Sequence, residues 1–175
     1  MIKMIQKLKN KKGFTLVELI VVIAIIAILT AVIVPLVGRY AANATYTTLQ
    51  DAAKTVSSTA NTVLADITQT GSVYKSQLIT GSKSGTTLTI KADSASGNST
   101  TLETELQSAL QEAVPAGAYF AIQVTDNTVS AVVYSTKDSL SSIVTVTKVG
   151  DGQYEYNNNP IGVYGNVTAS DKEDD

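Results

Sequence analysis

FTLVELIVVIAIIAILTAVIVPLV, from Phe14 to Val37, is a run of 24 residues with one ionisable group, Glu18, and one helix breaker, Pro35. At ~1.5 Å per residue it reaches roughly 36 Å as a helix, enough to cross the ~30 Å hydrocarbon core of a bilayer. Lys3, Lys7, Lys9, Lys11 and Lys12 precede the run and only Arg39 follows closely. That asymmetry puts the N-terminus in the cytoplasm and the rest of the chain outside. A secretory signal would have a shorter apolar stretch followed at once by a small-residue cleavage site. Here the small residues Ala41-Ala42-Asn43-Ala44 come only after the long run. An uncleaved signal anchor explains the length but not Glu18, since a carboxylate within a membrane helix costs about 2.5–3.5 kcal/mol and marks a function or a partner.

Downstream, uniform hydrophobicity gives way to periodicity. Tyr46, Leu49, Ala53, Val56, Ala60, Val63 and Ile67 recur at steps of three and four, with Asp51, Lys54, Ser58, Asn61 and Asp66 largely off that face. One helix is therefore predicted from Phe14 to about Asp66, its second half packed on its own domain. Gly71, Gly81 and Gly85 amid Ser and Thr read as loop. Thr86 to Ala92 alternates as a strand, and Asp93 to Ser99 is polar loop. Thr100 with Glu103 suggests a capping box for a short helix carrying Leu102, Leu106, Leu110 and Val114 up to Pro115. Tyr119–Thr125 and Thr128–Ser135 form a predicted hairpin around Asp126-Asn127, and Ile143–Val149 and Gln153–Tyr156 a second around Gly150-Asp151-Gly152. These elements predict an α+β fold, a long helix on an antiparallel sheet that is half packed on the helix and half solvated, its second face rich in Thr and Ser. Tyr154, Tyr156 and Tyr164, with Asn157-Asn158-Asn159-Pro160 between them, read as an exposed contact loop or the edge of a small core.

The chain of 175 residues contains no cysteine and no histidine. No disulfide supports the domain, and the commonest general base and metal ligand are missing. No phosphate-cradling glycine loop is present either, so an enzyme is not expected. Glu103, Glu105 and Glu112 read as a solvated helix face. Asp151-Gly152 lacks the convergent oxygens that calcium requires. Asn43, Asn98 and Asn166 stand in short N-glycosylation patterns, which are weak signals.

Lys11-Lys12-Gly13-Phe14-Thr15-Leu16-Val17-Glu18-Leu19 resembles the class III signal of type IV prepilins and pseudopilins: basic leader, glycine, Phe, then Glu as the fifth residue after the cut. The resemblance covers the leader and about twenty-five residues beyond it, including Pro35. It implies a type IV pilin fold. It implies cleavage between Gly13 and Phe14 by a membrane prepilin peptidase, N-methylation of Phe14, and an assembly ion pair between Glu18 and the Phe14 amine of a neighbouring subunit. Two charges in a low-dielectric filament core offset part of each other's desolvation cost, which sets register. Pro35 lacks an amide hydrogen and clashes with the carbonyl four residues earlier, so it kinks or loosens the helix near Ala31. That helix break is either a harmless membrane kink or a segment that lends the filament extensibility.

The implied organisation is a leader at residues 1–13, a transmembrane and polymerisation helix at 14–38, its amphipathic second half at 39–67, a globular domain at 68–170 and a disordered acidic tail at 171–175. Loss of the leader would take the formal charge from −2 to −7, which disfavours nucleic acid. The resemblance further implies a membrane precursor and then a surface filament of many copies, built by an assembly platform and its ATPase, without cofactor or metal. The absence of cysteine leans toward a Gram-positive, clostridial-like pilin. A major pilin for twitching, adhesion, aggregation or DNA uptake, a minor pilin or pseudopilin, and a signal-anchored surface domain with a coincidental Glu18 are the competing functions.

Overall fold

The computed structural model describes residues 14–93 and 99–171. Residues 1–13, which include the expected leader and Gly13, residues 94–98 and residues 172–175 lie outside the described residues. Contacts divide the chain into two units, residues up to Ala42 and residues from Asn43 onward. Helix α1, Leu16–Gln69, contributes to both.

In the first unit α1 buries nothing. Every large apolar side chain from Leu16 to Val37 is about half exposed or more. The helix is assigned without interruption through Pro35. Thr30 returns its hydroxyl to the carbonyl of Ile26 at 2.7 Å, so its polar atom is satisfied on the helix itself.

The second unit is built on the predicted stripe. Leu49, Ala53, Val56, Ala60, Val63, Leu64 and Ile67 of α1 are buried. Eight strands form one sheet in the order β2-β1-β3-β4-β7-β6-β5-β8. The strands are β1 Ser76–Ser84, β2 Thr87–Ala92, β3 Tyr119–Thr125, β4 Thr128–Ser135, β5 Val146–Gly150, β6 Gln153–Tyr156, β7 Asn159–Gly165 and β8 Ala169–Asp171. All pairings are antiparallel except β5 with β8. Helix α2, Ser99–Leu110, adds Leu102, Leu106 and Leu110 to the core shared with α1. Gly162 of β7 lies directly against the backbone of α1. A Cβ built on it would lie 1.9 Å from the carbonyl oxygen of Leu49.

Both hairpins read from the sequence are present, β3–β4 and β5–β6, although β5 begins at Val146 rather than Ile143. Asp126 and Asn127 adopt φ of 48° and 60°, the left-handed pair of a type I′ turn. Asn157 and Asn158 do the same at 52° and 60°, joining β6 to β7. Of the two readings of this segment, the small core holds for Tyr154 and Tyr156. The tyrosine and asparagine segment is a tight hairpin, with Tyr154 and Tyr156 packed on a second cluster and only Tyr164 exposed, at 40%. The stretch read as loop before Thr86 contains β1. Gly81 is tolerated inside that strand because the Phe120 ring lies across it, 2.0 Å from where its Cβ would be.

Three further expectations are corrected. The second face of the sheet is not simply solvated: Ala121, Val133, Ile161, Val163 and Val146 gather there with Leu140 of the β4–β5 connection. Glu103 does not close a capping box with Thr100, which already lies inside α2. Its carboxylate accepts the amide of Ala92 at 2.7 Å instead. The tail was expected to begin at residue 171, but Asp171 is paired with Lys148 in β8. Glu105 and Glu112 are exposed as expected.

Candidate functional site

Among residues 14–42, α1 carries two charged side chains, Glu18 and Arg39. Glu18 lies in the first turn, where the partial positive charge of the helix N-terminus favours a carboxylate. Its Oε2 accepts the Thr15 amide at 3.3 Å, while the Thr15 Oγ1 accepts the Glu18 amide at 3.2 Å. Thr15-Leu16-Val17-Glu18 is thus a reciprocal capping box, and two amides that the helix cannot satisfy are satisfied by side chains. The Thr15 hydroxyl also reaches the same carboxylate oxygen at 3.4 Å. Thr followed three residues on by Glu is the pattern of such a box, and it acts as one here because α1 starts at Leu16.

The box fixes where the helix begins and which way Glu18 is turned. Phe14, immediately before it, is 87% exposed. Beyond Glu18 the next charge is Arg39, and an 18-residue window of mean hydropathy 3.3 lies between the ends of α1. By length and composition this helix can cross a membrane, and none of that window is buried within the chain.

In the second unit polar contacts cluster where the β5–β6 hairpin meets α1. The Tyr46 hydroxyl donates to Glu155 at 2.6 Å, Gln50 donates to the Gly152 carbonyl at 2.8 Å, and Gln153 donates to Asn43 Oδ1 at 3.0 Å. Burial, then the bond to Glu155 and its negative charge, push the Tyr46 hydroxyl up from 10.0 to about 12. Asp151, in the same hairpin turn, is exposed. Among the described residues no three His, Cys, Asp or Glu side chains gather closely enough to hold a metal ion.

Residues 8–34 match the prokaryotic N-terminal methylation motif. The type IV wide pilus major component PilA4 of Thermus thermophilus is 57% identical over 51 residues, which is 27% of this chain and 39% of that protein. The match therefore spans well under half the length of that relative. No solved structure matches the chain. The long apolar helix and the largely antiparallel sheet form a type IV pilin-like α+β arrangement, and the head of the chain, which carries the prokaryotic N-terminal methylation motif, is similar to a type IV pilus component.

Proposed function

We propose that this chain is a structural subunit of a type IV pilus, made as a membrane-anchored precursor, and that it is the major pilin of its filament. One observation carries the reading: the apolar first part of α1, none of it buried, is headed by a single oriented carboxylate. Such a surface is stable only in lipid or against other helices. The matched relative is named as a major component of a type IV pilus, which supports the same role here.

In this proposal a prepilin peptidase cuts between Gly13 and Phe14 and methylates the new Phe14 amine. Glu18, held by Thr15 toward the head of the helix, then pairs with the Phe14 amine of a neighbouring copy. The pair neutralises both charges as water is lost, and fixes how far one copy is displaced along the next. Copies enter the filament from the membrane, with the N-terminus on the cytoplasmic side before assembly, through a platform and ATPase. The filament serves motility, adhesion or aggregation. Pro35, by leaving the carbonyl of Ala31 without its usual donor, gives that part of α1 a helix hydrogen bond fewer to lose when copies pack.

The test is the N-terminal peptide mass of the protein in filaments sheared from cells, beside a Glu18→Ala strain. An abundant chain beginning at methylated Phe14, lost from the sheared fraction in the variant, is the expected result. A chain still beginning at Met1 and confined to membranes would overturn the proposal. Correct cleavage at trace abundance would assign a minor pilin or pseudopilin instead.

A further inference from the structure

Arg39 is the first cation after Phe14 and has no hydrogen bond or ion pair among the described residues. Tyr40 beside it is 67% exposed. In the second unit, α1 and α2 enclose an open trough lined by Val63, Asp66, Ile67, Thr70, Thr101 and Glu105. Its floor is apolar, since Val63 and Ile67 lie in the core. Asp66 and Glu105, contributed by the two helices, are both exposed and likewise have no hydrogen-bond or ion-pair partner among the described residues. The nearest lysine on α1, Lys54, is already paired with Asp51 at 3.4 Å.

We infer that the trough between α1 and α2 receives Arg39, with Tyr40 alongside, from another copy of the chain. The inference rests on the filament reading and names a contact that reading leaves open. When apolar helices pack together, an arginine at the end of the apolar run loses water, and an unpaired buried charge is strongly unfavourable. A guanidinium presents a planar fork of donors and can serve two carboxylates at once, which suits an acidic residue on each wall. Tyr40 offers an apolar ring for the floor and a hydroxyl for the Thr70 or Thr101 rim. The two charges of the apolar unit then each have an intermolecular partner, Glu18 at its head and Arg39 at its foot. Because the contact joins two different surfaces of the same chain, it does not close on itself and propagates as a helical array.

The chain has no cysteine, so engineered thiols are the only ones present. Filaments sheared from cells carrying Arg39→Cys with Glu105→Cys, treated with a short bis-maleimide, should give a ladder of linked copies that neither single variant gives. Arg39→Glu should lower the sheared filament by more than about tenfold, as expected for one partner of a desolvated charge pair. The processed chain in the membrane should stay at its usual level. Arg39→Glu combined with Glu105→Arg should recover most of the filament. No ladder from the double variant, or an equal ladder from a single one, overturns the contact. Normal filaments from Arg39→Glu in cells where Glu18→Ala abolishes them overturn it too, and leave the pilus reading standing. Absence of processed chain from wild-type filaments would bring down both.

Discussion

The two halves of α1 share a backbone and differ in what they ask of their surroundings. Leu29 in the first half is 54% exposed, while Leu64 in the second is fully buried. Residues 16–37 show apolar side chains on every side and so have no preferred face. The later residues show a stripe, with Ala53 and Ala60 buried and Asp51, Lys54 and Asp66 exposed. An all-round apolar helix takes its stability from lipid or other copies, a striped one from its own domain. The distribution of side chains around one helix thus separates the part that packs on its own domain from the part assigned to assembly in the proposal above.

The largest expected effect on the folded half comes from Gly162→Ala. The new methyl would meet the Leu49 carbonyl, a backbone atom that cannot swing aside. Unfolding of the detergent-solubilised chain in urea, followed by near-UV circular dichroism of its tyrosines, should show a loss of more than about 3 kcal/mol. Leu64→Ala should cost about 3 kcal/mol in the same titration by leaving a cavity under the sheet.

Tyr46→Phe removes the hydroxyl held by Glu155 and should cost about 1 kcal/mol at neutral pH. Because the folded protein raises this group from 10.0 to about 12, its contribution is complete below pH 10 and is lost as pH rises through about 12. The stability gap between wild type and Tyr46→Phe should accordingly shrink across that window. A gap that stays constant would mean that the hydroxyl contributes nothing through its proton.

The smallest effect sharpens the contrast most. Leu29→Ala should change domain unfolding by no more than about 0.5 kcal/mol, since the side chain is 54% exposed and belongs to the other unit. The yield of sheared filament should nevertheless fall. A large loss of domain stability from this substitution would erase the division between the halves.

How much of this was legible followed the strength of each local pattern. The helix, its buried stripe and the strands β3, β4 and β6 were written in periodicity and in Asp126-Asn127 and Gly150-Asp151-Gly152. Strand β1 was not, because its central glycine has meaning only once Phe120 is seen to cross it. Strand β7 was hidden behind three asparagines and Pro160, which read as loop until two of those asparagines are found turning a hairpin. Strand β8 pairs in parallel with β5, a partner more than twenty residues away that no short pattern announces. At the head of the chain, Glu18 stood out as a charge among apolar residues. Its bond with Thr15 needed the helix start to be located at Leu16, and that came only with the structure.

The flank of β2 has a consequence for how such a chain avoids the wrong polymer. At one end of that strand the Glu103 carboxylate occupies the Ala92 amide, and at the other the Gln111 side-chain amide occupies the Thr86 carbonyl at 2.6 Å. Both come from the α2 segment, whose leucines pack into the core beside the strand. A sheet margin treated this way is a poor template for an incoming strand, so cross-β stacking is discouraged on that side. Crowded copies are thereby steered away from amyloid-like growth along that edge.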